Sequence, residues 1–545
     1  MQATQVINTD VLVIGGGGAG LRAAIEAKKN GLEVALISES PVGFRNNTAI
    51  SGATFAATGL SDQFTDSHEA HLRDTIAAGC FLNDWRLVMA MVQGAAKQVH
   101  DLIEFGVNFK QHQGKLSIWQ IPGHAYPRHV IVERFRGINI TRPMRQYALG
   151  LGIQFIEGIL ITRLLRAENI AVGGLGIDAN GEAILLNSKS TVLATGGAGQ
   201  LYLRTNNAVG LTGDGFALAY EAGATLRDME FVQFYPTALG KKGKKLCAYE
   251  GLMPRGAILR NSLGEDILKR HGIDHFSKAT RDILSRIIME EITGGRGIED
   301  GVVFDLTTMP DEDTEKLYRR GYLPKFPVAP TVHFFMGGIR INEYGETGID
   351  GLYAAGEVCG GIHGANRLGG NAITDILVFG ALAGGRAANR ALKTGQIPVP
   401  QREIAAGLER MSELASARGH ENPEELQQSL KRTMWDKVGV IRNRESLEDA
   451  QREIVALREE LKRVSLVDSR HIHQALKLAN MLTTSEMVCR AALARTESRG
   501  AHYRTDYPEE DKQQWLKTVE FSCQGGEMIL RITPVNSDRE YQKPS

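Results

Sequence analysis

The stretch TDVLVIGGGGAGLRAAIEAKKNGLEVALIS, residues 9–38, restricts the fold more than any other part of the chain. A short β-branched run at 11–14 meets four glycines, an alanine-rich segment of helical character follows, and a second apolar run occupies 34–37. That is the order of a βαβ unit. Gly15, Gly17 and Gly20 have the GxGxxG spacing, with Ala19 inside the same turn. The first glycine permits the tight turn, the second lets backbone approach a pyrophosphate, and the third lets helix pack on strand. The phosphates would sit at the helix N-terminus, where unpaired N–H groups and the helix dipole favour negative charge. A dinucleotide-binding, doubly wound α/β unit is therefore expected.

Ser38 stands where an acidic residue often holds an adenosine ribose, which argues against NAD and for a flavin dinucleotide. Three further glycine-rich turns agree with the larger cofactor: VLATGGAGQLY at 192–202, LTGDGFALAYEAGA at 211–224 and GLYAAGEVCGGIHGANRLGG at 351–370. A cofactor domain assembled from segments this far apart is discontinuous in sequence. At 545 residues the chain exceeds one compact core and should divide into two or three domains. Lys plus Arg and Asp plus Glu both number 63, so no global field steers the protein to nucleic acid. The five cysteines form no CxxC pair, which argues against a disulfide framework, a metal site or an iron–sulfur cluster on this chain. No apolar run reaches the ~18 residues of a membrane span, and the polar start lacks a basic n-region. A cytoplasmic location is expected, with a peripheral place on a membrane complex left open.

Between 240 and 330 the glycine-rich turns give way to charged amphipathic stretches such as KATRDILSRIIMEEI, where Ile283, Leu284, Ile287, Ile288 and Ile292 recur at helical spacing. Arg281 lies at the start of that helix, where periodicity alone reads it as solvated. From 402 to 499 the chain is rich in Glu, Lys, Arg and Leu and reads as long amphipathic helices.

The stretches GGGGAG, ATGGAG, TGDGFALAYEAGA, FVQFYPT, TRDILSRIIMEEI, PTVHFFMGGI, AAGEV, HGANRLGGNA and ESRGAHYRTDYPEED together resemble the flavoprotein subunit of the succinate dehydrogenase/fumarate reductase family, which also includes L-aspartate oxidase. The resemblance implies an α/β, Rossmann-like FAD-binding domain at 1–236 and 330–391. It also implies an inserted α+β capping domain at 237–329, a helical domain at 392–510 and a C-terminal tail at 511–545. The FAD would be held by Gly15, Gly17, Ala19, Gly20, Ser38, Asn47, Thr48, Gly52, Thr195, Gly196, Asp214, Glu357, Arg367 and Asn371.

The same resemblance implies the chemistry. A histidine on an apolar strand is by itself an ordinary core residue, but His333 and Arg367 match positions that bind a substrate carboxylate beside the flavin. Arginine suits this task because its planar fork donates two charge-assisted hydrogen bonds. The bound carboxylate polarises the adjacent C=C toward hydride. Arg281 matches the proton donor, an unusual acid with a pKa above ~12, and Glu250 matches the relay that resupplies it. Met253 occupies the register of a relay arginine, and Arg255, two positions on, is a candidate substitute. Tyr235 and Tyr249 replace a histidine and a threonine that hold the second carboxylate of a diacid, and their hydroxyls are candidates for that end. Asn47 replaces the histidine that bonds covalently to flavin, so noncovalent FAD is expected.

Three roles remain open at this level. One is a fumarate-reductase-like subunit fed by an iron–sulfur partner, with another α,β-unsaturated carboxylate as an alternative substrate. The second is a stand-alone oxidase of the L-aspartate oxidase type, and the third a noncatalytic flavin-bearing subunit. No metal ligand set is expected.

Overall fold

The computed structural model describes residues 3–60, 65–319, 321–416, 419–465 and 467–535. Strand Ala3–Ile14 lies inside a seven-stranded sheet, flanked by Val34–Ser38 and Ala183–Leu193, and both pairings are parallel. Gln154–Glu157 extends one edge. On the other side Ala183–Leu193 pairs antiparallel with Ile170–Ile177 through its first half and parallel with Leu352–Ala354 through its end. The late segment thus enters the sheet beside the first, and the discontinuity read from the glycine turns is built into the strand order.

Helices Gly18–Lys28 and Asn371–Lys393 cross closely over this sheet. Glycine allows that approach, since a Cβ on Gly384 would lie 2.3 Å from Ala23 O and one on Gly380 2.8 Å from Ala19 O; within the turn itself, one on Gly20 would lie 1.8 Å from Gly15 O. The helix that follows the Arg367 loop is therefore locked to the helix that follows the GxGxxG turn.

A separate antiparallel sheet runs Lys245–Leu246, Val232–Leu239, Lys325–Phe335, Val302–Asp305, Ile258–Arg260. It has its own hydrophobic core, drawn from residues between Tyr235 and Val328 and including Leu284, Ile287 and Ile288 of helix Arg281–Glu291. The two strands that reach this sheet from the nucleotide unit, Val232–Leu239 and Lys325–Phe335, pair with each other. Gln233 opposes Phe334 whereas Phe234 opposes Val332, so His333 is the extra residue of a β-bulge. Such bulges re-aim a side chain locally.

Four helices follow: Gln401–Ser416, Pro423–Lys437, Arg444–Leu461 and Ser469–Ala494. Asn422, Asn443 and Asp468 cap the last three by accepting from first-turn N–H groups. The ESRGAHYRTDYPEED stretch becomes a buried ionic lattice, in which Arg495 pairs with Glu230 at 2.6 Å and Glu497 bridges Arg495 and Arg499. The segment read as a tail from 511 carries a hairpin, Lys517–Gln524 with Glu527–Pro534, which pairs onto Leu226–Arg227. Val519 and Phe521 point into the core with the less buried Glu520 between them, the period-2 pattern of a strand rather than of a tail. Residues 536–545 of that tail lie outside the described residues.

Candidate active site

The GxGxxG turn opens a cavity of about 150 Å³ lined by Gly15, Gly17, Ala19, Ser38, Glu39, Asn47, Thr48, Thr195, Gly196, Asp214 and Glu357. Gly15 has φ +122°, and a Cβ there would lie 2.2 Å from Ala194 O. At Gly17 a Cβ would meet nothing closer than 3.9 Å, leaving the wall open to a phosphate. Thr195 Oγ1 is buried without a partner. Bare backbone at a helix N-terminus, an orphan hydroxyl and an Asp214 carboxylate held by Thr212 and Asn480 fit an FAD, and these residues would hold it. Gly20 serves helix packing and lines neither this cavity nor the next. Asn371 also lines neither: its amide is bound to His71 at 2.8 Å and Thr75 at 2.9 Å under the helix start. Its place in the motif did not reveal that it braces the Arg367 loop from within.

A second cavity of about 770 Å³ shares Asn47, Thr48, Glu357 and Ile376 with the first, and adds Gly52, Tyr235, Lys244, Arg281, His333 and Arg367. Glu357 accepts from Asn47 Nδ2 at 3.0 Å and from Phe335 N–H at 3.2 Å. Burial nevertheless pushes its carboxyl up to about 7.

Arg367 is 7% exposed. Its Nη2 donates to Gln233 Oε1 at 3.0 Å, its guanidinium lies 4.6 Å from the Phe334 ring centroid, and its Nε has no partner. Burial, with the Arg281 charge second, pulls it down to about 9. Among the described residues no carboxylate forms an ion pair with this buried guanidinium, and a ligand carboxylate would supply one. His333, aimed by its bulge, lies with Nδ1 3.3 Å from Asn206 Oδ1. Burial, then the Arg367 and Arg281 charges, hold it well below its ordinary value, so the imidazole is neutral.

Arg281 is not the solvated residue that periodicity alone suggested. It continues the face of Leu284 and Ile288 three and seven residues on, so the helix carries it inward to the cavity wall. Its Nη1 donates to Gln233 Oε1 at 3.3 Å and its Nη2 to Glu250 Oε1 at 3.2 Å. Burial opposes its charge, but Glu250, then Tyr249 and Tyr235, outweigh burial and leave it raised. Gln233 thus joins both guanidiniums through one oxygen, while its Nε2 holds Asn366 at 2.8 Å and Arg367 O at 3.0 Å. Nothing in the sequence singled out Gln233. Its signal was position, two residues before Tyr235 on one strand face.

Three expectations about the far end change. Arg255 is 56% exposed and pairs with Asp313 at 3.5 Å, so it does not replace the arginine missing at Met253. Tyr249 is buried behind Tyr235, ring centroids 5.7 Å apart, and does not line the cavity. The Tyr235 ring does line it, but its hydroxyl donates to Glu250 Oε2 at 2.5 Å rather than standing free for a substrate.

Residues 10–373 match the family described as FAD binding domain, and 427–545 the one described as fumarate reductase flavoprotein C-term. The chain is 36% identical to one of the subunits of the fumarate reductase (CoM/CoB) of Methanothermobacter marburgensis, covering 95% of this chain and 97% of that one. It is 32% identical to a succinate dehydrogenase flavoprotein subunit of Rickettsia bellii, over 96% and 95%. Among solved structures, an E. coli quinol fumarate reductase FrdA variant superposes with a TM-score of 0.90 at 28% identity, over 98% and 97%. The cradle, the cavity and these likenesses define an FAD-dependent oxidoreductase acting on CH–CH bonds. The chain belongs to the fumarate reductase/succinate dehydrogenase flavoprotein family. Among the described residues no helix is long and apolar enough to cross a membrane.

Proposed function

We propose that this chain is the catalytic flavoprotein subunit of a fumarate-reductase-like complex, reducing the C=C bond of a small α,β-unsaturated carboxylate. The observation that carries the reading is Arg367, a buried guanidinium with no ion-pair partner among the described residues, facing the same cavity as Arg281 and His333. FAD, when bound, supplies the hydride. Arg367 anchors the substrate carboxylate, and its fork withdraws electron density from the conjugated double bond. Neutral His333 adds a hydrogen bond without a second full charge. Gln233 fixes the spacing of the two arginines, so that the anchor and the acid address different atoms of one small molecule. Arg281 passes a proton to the carbon beside the one that takes hydride, and Glu250 restores it. The five cysteines are dispersed and none is in a pair, which favours an electron supply from an iron–sulfur partner.

Asn47 supports noncovalent FAD, because an amide nitrogen is not a nucleophile, and its Nδ2 is already engaged by Asn207 and Glu357. Acid precipitation is expected to release all the flavin into the supernatant. A fluorescent flavin band that stays with the polypeptide on a denaturing gel would refute this. The reaction itself is tested by bleaching of a reduced viologen dye with unsaturated mono- and dicarboxylates. Turnover with fumarate or a close relative is expected. Hydrogen peroxide formation from L-aspartate, with no dye oxidation, would instead identify a stand-alone oxidase.

A further inference from the structure

The Tyr235 ring walls the substrate cavity, 5.6 Å from the His333 ring and 5.2 Å from the Arg281 guanidinium, centroid distances in each case to the tyrosine ring. Its hydroxyl is used elsewhere. It donates to Glu250 Oε2 at 2.5 Å, while Glu250 Oε1 accepts from Arg281 at 3.2 Å. The two oxygens of one carboxylate are thus divided between a phenol and the arginine that would deliver the proton. No second cation helps to order Glu250. Arg281 is its only ion-pair partner among the described residues, Met253 is an apolar side chain 8% exposed, and Arg255 is turned out to Asp313. The Glu250 side chain, outside the cavity lining, is 23% exposed.

We propose that Tyr235 is a positioning residue of the proton path: its hydroxyl orients the Glu250 carboxylate toward Arg281, and Glu250 takes its protons directly from water. The inference rests on the reading of Arg281 as proton donor to the substrate carbon. For each hydride added to one carbon, one proton passes from water to Glu250, from Glu250 to Arg281, and from Arg281 to the neighbouring carbon. Tyr235 keeps its own proton throughout. Burial, with the Glu250 charge second, holds the phenol well above its ordinary value, so it remains a donor at neutral pH. Specificity follows as well, because the far end of the substrate is not clamped by this hydroxyl.

The test is Tyr235→Phe alone and combined with Glu250→Gln, assayed as FAD-loaded protein. Tyr235→Phe should lower kcat ~10-fold or more and raise the solvent deuterium isotope effect on kcat. KM should change less than about twofold, as should the dissociation constant of a non-reacting dicarboxylate read from the flavin spectrum. In the Glu250→Gln background the added loss should vanish, because a residue acting through Glu250 has nothing left to position. Tyr235→His, which keeps a ring donor, should recover part of kcat and serves as the comparison if the phenylalanine variant loses FAD. A rise in KM and in the dissociation constant, with kcat and isotope effect unchanged, would make Tyr235 a substrate clamp and overturn the proposal. Losses that multiply in the double variant would also overturn it. A wild-type protein inactive toward every unsaturated carboxylate would sink the reaction and this inference together.

Discussion

Arg367→Ala is expected to lower kcat/KM by about three orders of magnitude while leaving the folded flavoprotein intact. Losing one partner of a buried charge-assisted contact costs roughly 2–5 kcal/mol, and about 1.4 kcal/mol is a factor of ten. The side chain gives the free protein little in return. It makes one good side-chain hydrogen bond, to Gln233, its Nε is orphaned, and burial pulls it down to about 9. Deleting a desolvated cation that Glu357, Asp375 and Glu250 offset only in part removes a cost as well as a contact, so the melting temperature should hold or rise. Gln233 Oε1 keeps Arg281 as a donor in the variant. The checks are dye-linked kinetics, FAD content per polypeptide and a thermal melt. Activity and FAD content lost in parallel would show that Arg367 supports the cofactor site rather than the substrate.

Arg281→Lys should reduce turnover by ~10²–10⁴-fold, the usual worth of a positioned general acid, with much less effect on substrate binding. Lysine keeps the charge, but it cannot donate to Gln233 Oε1 and Glu250 Oε1 from two nitrogens of one plane, as Arg281 does. The variant's donor would lie elsewhere and have a different pKa. Perturbation of the oxidised flavin spectrum by an unreactive dicarboxylate should persist, because Arg367 and His333 are untouched. An Arg281→Lys protein with near-normal kcat would remove Arg281 from the mechanism. It could not pass that role to Arg255, whose side chain faces Asp313 at the surface.

Much of this molecule was legible as local pattern. The GxGxxG turn between two apolar runs announced the βαβ unit, because a tight turn and a close helix can be met only by glycine at those spacings, and Gly15 and Gly20 show the contacts that demand it. Late glycine turns announced a discontinuous unit, and Leu352–Ala354 does enter the sheet beside Ala183–Leu193. Helical periodicity announced the stretch from 281 to 291, although the same periodicity carried Arg281 to its inner face, against the solvated reading. The hairpin after Lys517 is not legible as local pattern, because its alternation is short and lies in a polar neighbourhood.

The sequence by itself determined that there would be a nucleotide cradle, an arginine in a glycine loop, and an amphipathic helix led by another arginine, since these depend on spacing within one element. Only the tertiary structure decided what those groups do to each other. His333 reaches the cavity because a bulge shifts register between Gln233 and Phe234, and a register shift depends on the partner strand rather than on either strand alone. Gln233 joins Arg281 and Arg367 across separations of 48 and 134 residues. The Tyr235 hydroxyl turns to Glu250 at 2.5 Å, with Cys247 O farther off at 3.4 Å, rather than to a substrate. That choice was settled by where helix Tyr249–Leu252 sets its carboxylate, because hydrogen-bond partners follow position in space and no spacing along the chain encodes it.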